Sequence, residues 1–175
     1  MTRIVDDRSI LSIDPTSRGL AFAFFEGGEL QDWGTRTGNG ITTVLLDRLC
    51  DKLKVDVLVL ENPDAARSQR RPRMRQLLRY LRQHANSRGL AVVSESRFDV
   101  RHEWASRGMA TKHGVAVAIA ALFPELEPIV PRKRKIYRSE EARAEIFDAV
   151  SLVLRAFPPT AGAGEDEQLL DHLAA

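Results

Sequence analysis

The chain has 175 residues, of which 43% are hydrophobic and 29% are charged, a composition typical of a soluble globular protein with one domain. Its single cysteine excludes an internal disulfide framework and fits a reducing compartment, so we expect a cytoplasmic protein. The longest apolar run, at residues 115–123, is too short to span a bilayer, and the first residues do not resemble a secretory signal, so we expect no membrane partner.

Charge is distributed unevenly along the chain, although the formal net charge is only +2. Residues 65–94 contain eight arginines and no acidic residue, and a second basic cluster lies at residues 132–138. Such asymmetry indicates a polyanionic partner. The stretch that begins Pro158-Pro159 predicts a flexible acidic tail over residues 158–175, which leaves one domain over residues 1–157.

The first part of the chain predicts three antiparallel strands, a helix and a buried strand. In chain order these are an apolar strand that ends at Asp14, strands over residues 19–25 and 30–37, a helix over residues 41–53, and a strand over residues 55–60 that leads into Glu61. Gly27-Gly28 is typical of a two-residue hairpin turn. The second half of the chain is predicted to be mainly helical.

The predicted elements of that second half are a helix over residues 72–87, a strand over 90–93, a short helix over 102–106, a helix over 111–123, a basic loop over 128–136 and a last helix over 139–154. The first of these helices carries an apolar stripe and, on another face, a stripe of arginines. Ser139 is expected to cap the last helix.

Two predicted apolar strands each end in a carboxylate that is closely followed by a proline, at Asp14 and at Glu61. Because the carboxyl ends of parallel strands meet at one edge of a sheet, we expect these two side chains to be neighbours. The last helix supplies Glu145 and Asp148, which share one helix face. From the residues alone, Asp14 could instead open a turn, and Asp148 and Glu145 could be solvated helix positions.

Four carboxylates that converge on one point would repel one another strongly unless a divalent cation lay between them. Oxygen ligands without a histidine or cysteine cluster favour Mg²⁺ or Mn²⁺ over zinc. Two such ions about 3.5–4 Å apart can activate a water molecule and stabilise the leaving oxygen of a phosphodiester. The predicted catalytic and metal-binding residues are Asp14, Glu61, Glu145 and Asp148.

Basic residues near this centre would bind the phosphate backbone of a nucleic acid. The predicted contacts are Arg67, Arg70, Arg71, Arg73, Arg75, Arg79, Lys112, Arg132, Lys133, Arg134 and Lys135. Alternatives remain open for two parts of this set. A lysine at a helix start, such as Lys112, is often merely solvated, and the basic loop could be a solvated linker.

Four segments, in this order, resemble the RuvC family of Holliday junction resolvases in the ribonuclease H-like superfamily. They are ILSIDPTSR at residues 10–18, VLVLE at 57–61, TKHGV at 111–115 and EIFDAV at 145–150. The resemblance covers about residues 9–157. It implies an α/β fold with a five-stranded mixed sheet in the order 3-2-1-4-5, flanked by helices. Asp14, Glu61 and Asp148 match the metal ligands of the family, and Glu145 matches its additional acidic position.

The implied activity is Mg²⁺-dependent endonucleolytic hydrolysis of branched DNA that leaves a 5′-phosphate, as in recombination and repair. The resemblance also allows a homodimer, and it implies no small-molecule cofactor. The pattern departs from the family at Thr16 and Ala21, where glycine is usual, and at Asn62, where the family continues toward an aromatic residue linked to junction opening. Cleavage chemistry is therefore better supported than junction specificity or the dimer.

Two alternatives remain open from the sequence. One is a nuclease of the same superfamily that acts on flaps, replication intermediates or RNA–DNA hybrids. The other is a non-catalytic protein that binds nucleic acids with the same fold. Retention of four carboxylates argues against the second alternative, because each is costly to bury if it holds no metal ion.

Overall fold

The computed structural model describes residues 2–16, 19–37, 42–132 and 143–160. Its strands are β1 (Ile10–Pro15), β2 (Gly19–Glu26), β3 (Glu29–Thr37), β4 (Val57–Glu61) and β5 (Ala91–Glu95). Its helices are α1 (Thr42–Leu53), α2 (Pro72–Ser87), α3 (Arg97–Ser106), α4 (Lys112–Leu122), a 3₁₀ helix (Pro124–Ile129) and α5 (Ala144–Ala156). No helix in these ranges is both long and apolar enough to cross a membrane.

The five strands form one mixed sheet in the order β3-β2-β1-β4-β5, the order that the family resemblance implies. The first three strands are antiparallel, whereas β4 runs parallel to both β1 and β5. Gly27 and Gly28 form the turn between β2 and β3 with φ angles of 58° and 82°. Both angles lie in the left-handed region that glycine adopts without strain, which confirms the predicted hairpin.

Alternate residues of the strands point to opposite faces of the sheet, and each face has its own helical layer. Leu11 and Leu58 lie on the face that α1 and α2 cover, together with Leu46 of α1. Ile10 and Val57 lie on the other face, where they belong to the core cluster formed with α3, α4 and α5. The central strands are therefore buried on both faces, which explains their nearly uninterrupted apolar sequences.

Helix α3 begins at Arg97, five residues earlier than its predicted start. The side chain of Ser96 accepts a hydrogen bond from the backbone N–H of Asp99 and caps the helix. This start places Arg97 directly beyond the carboxyl end of β5, beside the ends of the other parallel strands. The predicted helix cap at Ser139, the basic residues 133–135 and the tail at 161–175 lie outside the described residues.

Replacing Leu46 by alanine should lower the free energy of unfolding by about 2–5 kcal/mol, because the side chain is fully buried between α1 and the sheet. Val44 lies on the same helix with 42% of its surface exposed, so Val44→Ala should cost less than about 0.5 kcal/mol. Urea unfolding of both variants measures the difference. Equal losses would contradict this placement of α1.

Candidate active site

Asp14 and Glu61 lie side by side where the parallel strands β1 and β4 end. Ser12 is the register partner of Val59, so the residues two positions later, Asp14 and Glu61, lie at the same level of the sheet. Both carboxylates are almost completely buried, with 2% and 1% of their surfaces exposed. They share the sheet face that α5 covers, and α5 carries Asp148.

Arg97 joins these three carboxylates. Its Nη2 lies 2.7 Å from Oδ2 of Asp14, its Nε lies 3.1 Å from Oε2 of Glu61, and its Nη1 lies 3.2 Å from Oδ2 of Asp148. The side chain of Arg97 is only 17% exposed. A single guanidinium group therefore sits at the point where the three acidic side chains converge.

Two further cations complete the cluster. Arg70 donates a hydrogen bond of 2.7 Å from Nε to Oε2 of Glu61 and a second one from Nη2 to Asp14. The ammonium group of Lys112 lies 3.3 Å from Oδ2 of Asp148. The sequence argument that the carboxylates need a divalent cation was incomplete, because these side chains of the chain itself balance the negative charge.

Burial raises the pKa of Asp14 above its ordinary value, and the charges of Arg97 and Arg70 only partly oppose this rise. Burial also disfavours the charged form of Arg97, but the carboxylates of Asp14, Asp148 and Glu61 outweigh it and raise the pKa of Arg97. Arg97 is therefore protonated at any physiological pH. Asp14, by contrast, is a buried acid whose ionised form is held at an energetic cost, a property that is common at functional sites.

The donor chemistry of the centre fits a hard divalent cation, because its converging ligand atoms are carboxylate oxygens. In the described conformation, however, Arg97 takes the position between them, and no group of three or more acidic, histidine or cysteine side chains in the described ranges is arranged to hold a metal ion. Glu145 lies one helical turn before Asp148 and is partly buried. Its role as a further ligand stays a prediction.

The predicted DNA-binding residues occupy different environments. Arg71 and Arg73 are exposed at the start of α2, and Arg67 lies 4.5 Å above the ring of Phe98. Arg70 points into the carboxylate centre instead. The remaining described members of the set are Lys112, which lies beside Asp148, Arg75, which donates to the backbone oxygen of Pro63, Arg79, which pairs with Asp64, and Arg132, which is exposed.

A cavity of about 310 Å³ lies next to the carboxylate centre, between α3, α4 and α5. Trp104 and Phe147 contribute apolar surface to its wall, while Arg97, Lys112 and Asp148 line the part that the cavity shares with the centre. The centre is thus bordered by open space on the side of these helices.

No protein-family model and no curated protein matches this chain. Solved structures do. RuvC of Thermus thermophilus aligns with a TM-score of 0.53 and 14% identity, over 86% of this chain and 99% of that one. The yeast mitochondrial Holliday junction resolvase Ydc2 aligns with a TM-score of 0.57 and 15% identity, over 98% of this chain and 83% of that one. The chain has a RuvC-type fold.

A third RuvC-type structure, T. thermophilus RuvC in complex with Holliday junction substrate, aligns with a TM-score of 0.53 and 13% identity, over 85% of this chain and 94% of that one. At such identities the likeness shows the fold alone. It confirms the predicted ribonuclease H-like architecture with the sheet order 3-2-1-4-5.

Sequence reasoning missed Arg97 as a member of the centre. A partial signal is present in the sequence, because the predicted strand over residues 90–93 ends four residues before Arg97, and the observed β5 ends two residues before it. A residue just beyond a third parallel strand reaches the same edge of the sheet as Asp14 and Glu61. The sequence argument places carboxylates and a divalent cation at that edge and assigns no cationic side chain to it.

Asp14→Asn should make the metal-free protein more stable at neutral pH, because burial favours the neutral form of this side chain over its ionised form. Asp64 is a matched control, since it also binds two arginines, Arg79 and Arg82, but in solvent. These arginines lower the pKa of Asp64, so Asp64→Asn should give no gain. Thermal unfolding in EDTA measures both, and a lower midpoint for Asp14→Asn would contradict the expectation.

Proposed function

We propose that the protein is a metal-dependent endonuclease that hydrolyses phosphodiesters in branched DNA, with the Holliday junction as the favoured substrate. The observation that carries the proposal is the convergence of Asp14, Glu61 and Asp148 at the carboxyl ends of the parallel strands in a RuvC-type fold. Open α/β sheets place their functional sites at this edge. The buried, energetically costly ionised form of Asp14 supports a functional rather than a structural role.

In this proposal Asp14, Glu61 and Asp148 hold one or two Mg²⁺ or Mn²⁺ ions, with Glu145 as a further ligand. The bound metal would activate a water molecule and stabilise the leaving oxygen of the phosphodiester. Asp14 and Glu61 are fixed by neighbouring central strands, so their carboxylates keep a defined separation. Asp148 is 23% exposed and faces the more open side, where a substrate can reach it.

Exposed arginines beside the centre would hold the DNA backbone. Arg71 and Arg73 lie at the start of α2. The loop that joins β4 to α2 contains Arg70. Guanidinium groups bind phosphate oxygens without reading sequence, so this surface would position DNA rather than select a base sequence. The Holliday junction bound to T. thermophilus RuvC supports branched DNA as the substrate class.

A cleavage assay with Mg²⁺ or Mn²⁺ tests the activity on a four-way junction, a flap, a linear duplex, a single strand and an RNA–DNA hybrid. The wild type should cut the junction, and Glu61→Gln should reduce cutting at least about a hundred-fold because a carboxylate ligand is lost. The same variant should retain most of its affinity for the junction. The control is Lys52→Gln in the last turn of α1, away from the carboxylate centre. This variant should cut the junction as the wild type does.

Each outcome of this assay has a defined meaning. Paired symmetric nicks in the junction alone would support a resolvase that acts as a homodimer. Cutting of flaps or hybrids would keep the nuclease and reject the junction. Binding without any cutting would reject catalysis and favour a nucleic-acid-binding protein. The position of Arg97 among the carboxylates is the reason to test for this outcome.

Neutralising Arg71 and Arg73 together, as Arg71→Gln/Arg73→Gln, should weaken binding to every DNA and reduce the slope of log affinity against log salt by about 1–2. The control is Lys52→Gln/Lys54→Gln, which removes two equally exposed charges at the opposite end of β4. Anisotropy titrations at several salt concentrations measure the slopes. Equal slopes for both double variants would remove the start of α2 from the DNA interface.

A further inference from the structure

We propose that Arg97 occupies the cation position of the carboxylate centre until a DNA phosphate draws its guanidinium away, so that divalent-cation binding and DNA binding are coupled through this residue. The proposal rests on the proposed function, because it concerns the metal ion and the substrate of the same centre. It assigns Arg97 two successive sets of partners, first the carboxylates and then the substrate.

The contacts of Arg97 make it a direct competitor of a metal ion. Its three nitrogens lie within 3.2 Å of oxygens from Asp14, Glu61 and Asp148. A divalent cation bound by the same carboxylates would be placed against a positive group that is 17% exposed and poorly screened by water. Metal binding therefore requires the guanidinium to leave the centre.

Loss of a proton cannot release Arg97. A guanidinium group does not lose its proton in proteins, so Arg97 remains a cation. Only a competing cation at the carboxylates or a competing anion at the guanidinium can separate the two. Both competitors are present when a metal-dependent nuclease meets DNA.

The cavity beside the centre gives the side chain of Arg97 room to move. Arg97 lines this space of about 310 Å³, and the other charged groups that line it are Arg101, Lys112 and Asp148. In the described part of the cavity wall a displaced guanidinium would thus meet two like charges and one carboxylate. An additional anion is needed to hold it there, and a DNA phosphate fits because guanidinium groups bind phosphate bidentately.

The consequence is reciprocal linkage between the two ligands. A phosphate that binds the guanidinium frees the carboxylates, so DNA should tighten metal binding, and metal should tighten DNA binding by the same factor. In the absence of DNA the wild type should bind metal weakly. Removing Arg97 should weaken this competition and reduce the linkage, while Arg70 would still pair with Asp14 and Glu61.

The first experiment titrates Mn²⁺ into the protein without DNA and follows free Mn²⁺ by electron paramagnetic resonance. Arg97→Gln should bind Mn²⁺ at least about tenfold more tightly than the wild type. Arg107→Gln is the matched control, since Arg107 lies at the other end of α3 and pairs with Glu103 in solvent, and it should behave as the wild type. Equal affinities for Arg97→Gln and the wild type would overturn the proposal.

Arg97→Gln leaves the carboxylates without their central partner, so it should unfold at a lower temperature in EDTA and regain stability with Mn²⁺. If it does not fold, the comparison of Arg97→Gln/Asp148→Asn with Asp148→Asn keeps the test open. These two variants differ only in Arg97. The double variant should bind Mn²⁺ more tightly than the single one.

The second experiment measures the thermal shift given by Mn²⁺, by a short linear duplex and by both together. In the wild type the joint shift should exceed the sum of the separate shifts, and this excess should be smaller in Arg97→Gln. Equal excesses would overturn the coupling to DNA. Neither experiment requires cleavage, so a protein that cuts no DNA but follows this pattern would lose the proposed function and keep the role of Arg97.

Discussion

The guanidinium of Arg97 joins carboxylates from three separate elements, β1, β4 and α5, and itself belongs to a fourth, α3. This ion cluster connects the central sheet to the helical layer that covers one of its faces. Burial of Asp14 opposes its ionisation, and the neighbouring arginines only partly offset this cost. Buried ion pairs of this kind contribute little net stability, but they restrict how the elements can be arranged.

The same cluster explains why acidic residues at the end of buried strands are compatible with a stable metal-free chain. Arg70, Arg97 and Lys112 supply the positive charge that a divalent cation would otherwise provide. Arg97 and Lys112 are distant in sequence from the carboxylates that they contact. The chain itself therefore balances the negative charge of the centre in the described conformation.

Much of the fold could be predicted from the sequence because its signals are local. Buried strands are nearly continuous apolar runs, and the hairpin is set by Gly27 and Gly28. The placement of Asp14 beside Glu61 also follows once β1 and β4 are parallel. The partners of the arginines could not be predicted, since an ion pair such as Arg70 with Asp14 depends on the path of a loop. The predicted start of α3 at residue 102 was wrong because its first turn contains the charged residues Arg97 and Asp99 and is marked mainly by the cap at Ser96.

Asp14 and Glu61 lie on neighbouring strands whose separation is set by the backbone hydrogen bonds of the sheet, at about 4.8 Å between strands. That distance does not depend on which apolar residues fill the core. Core side chains can therefore differ between chains while the spacing of two neighbouring strand ends stays the same. This offers a physical reason why two chains can share an architecture with little sequence similarity, as this chain and Ydc2 do at 15% identity.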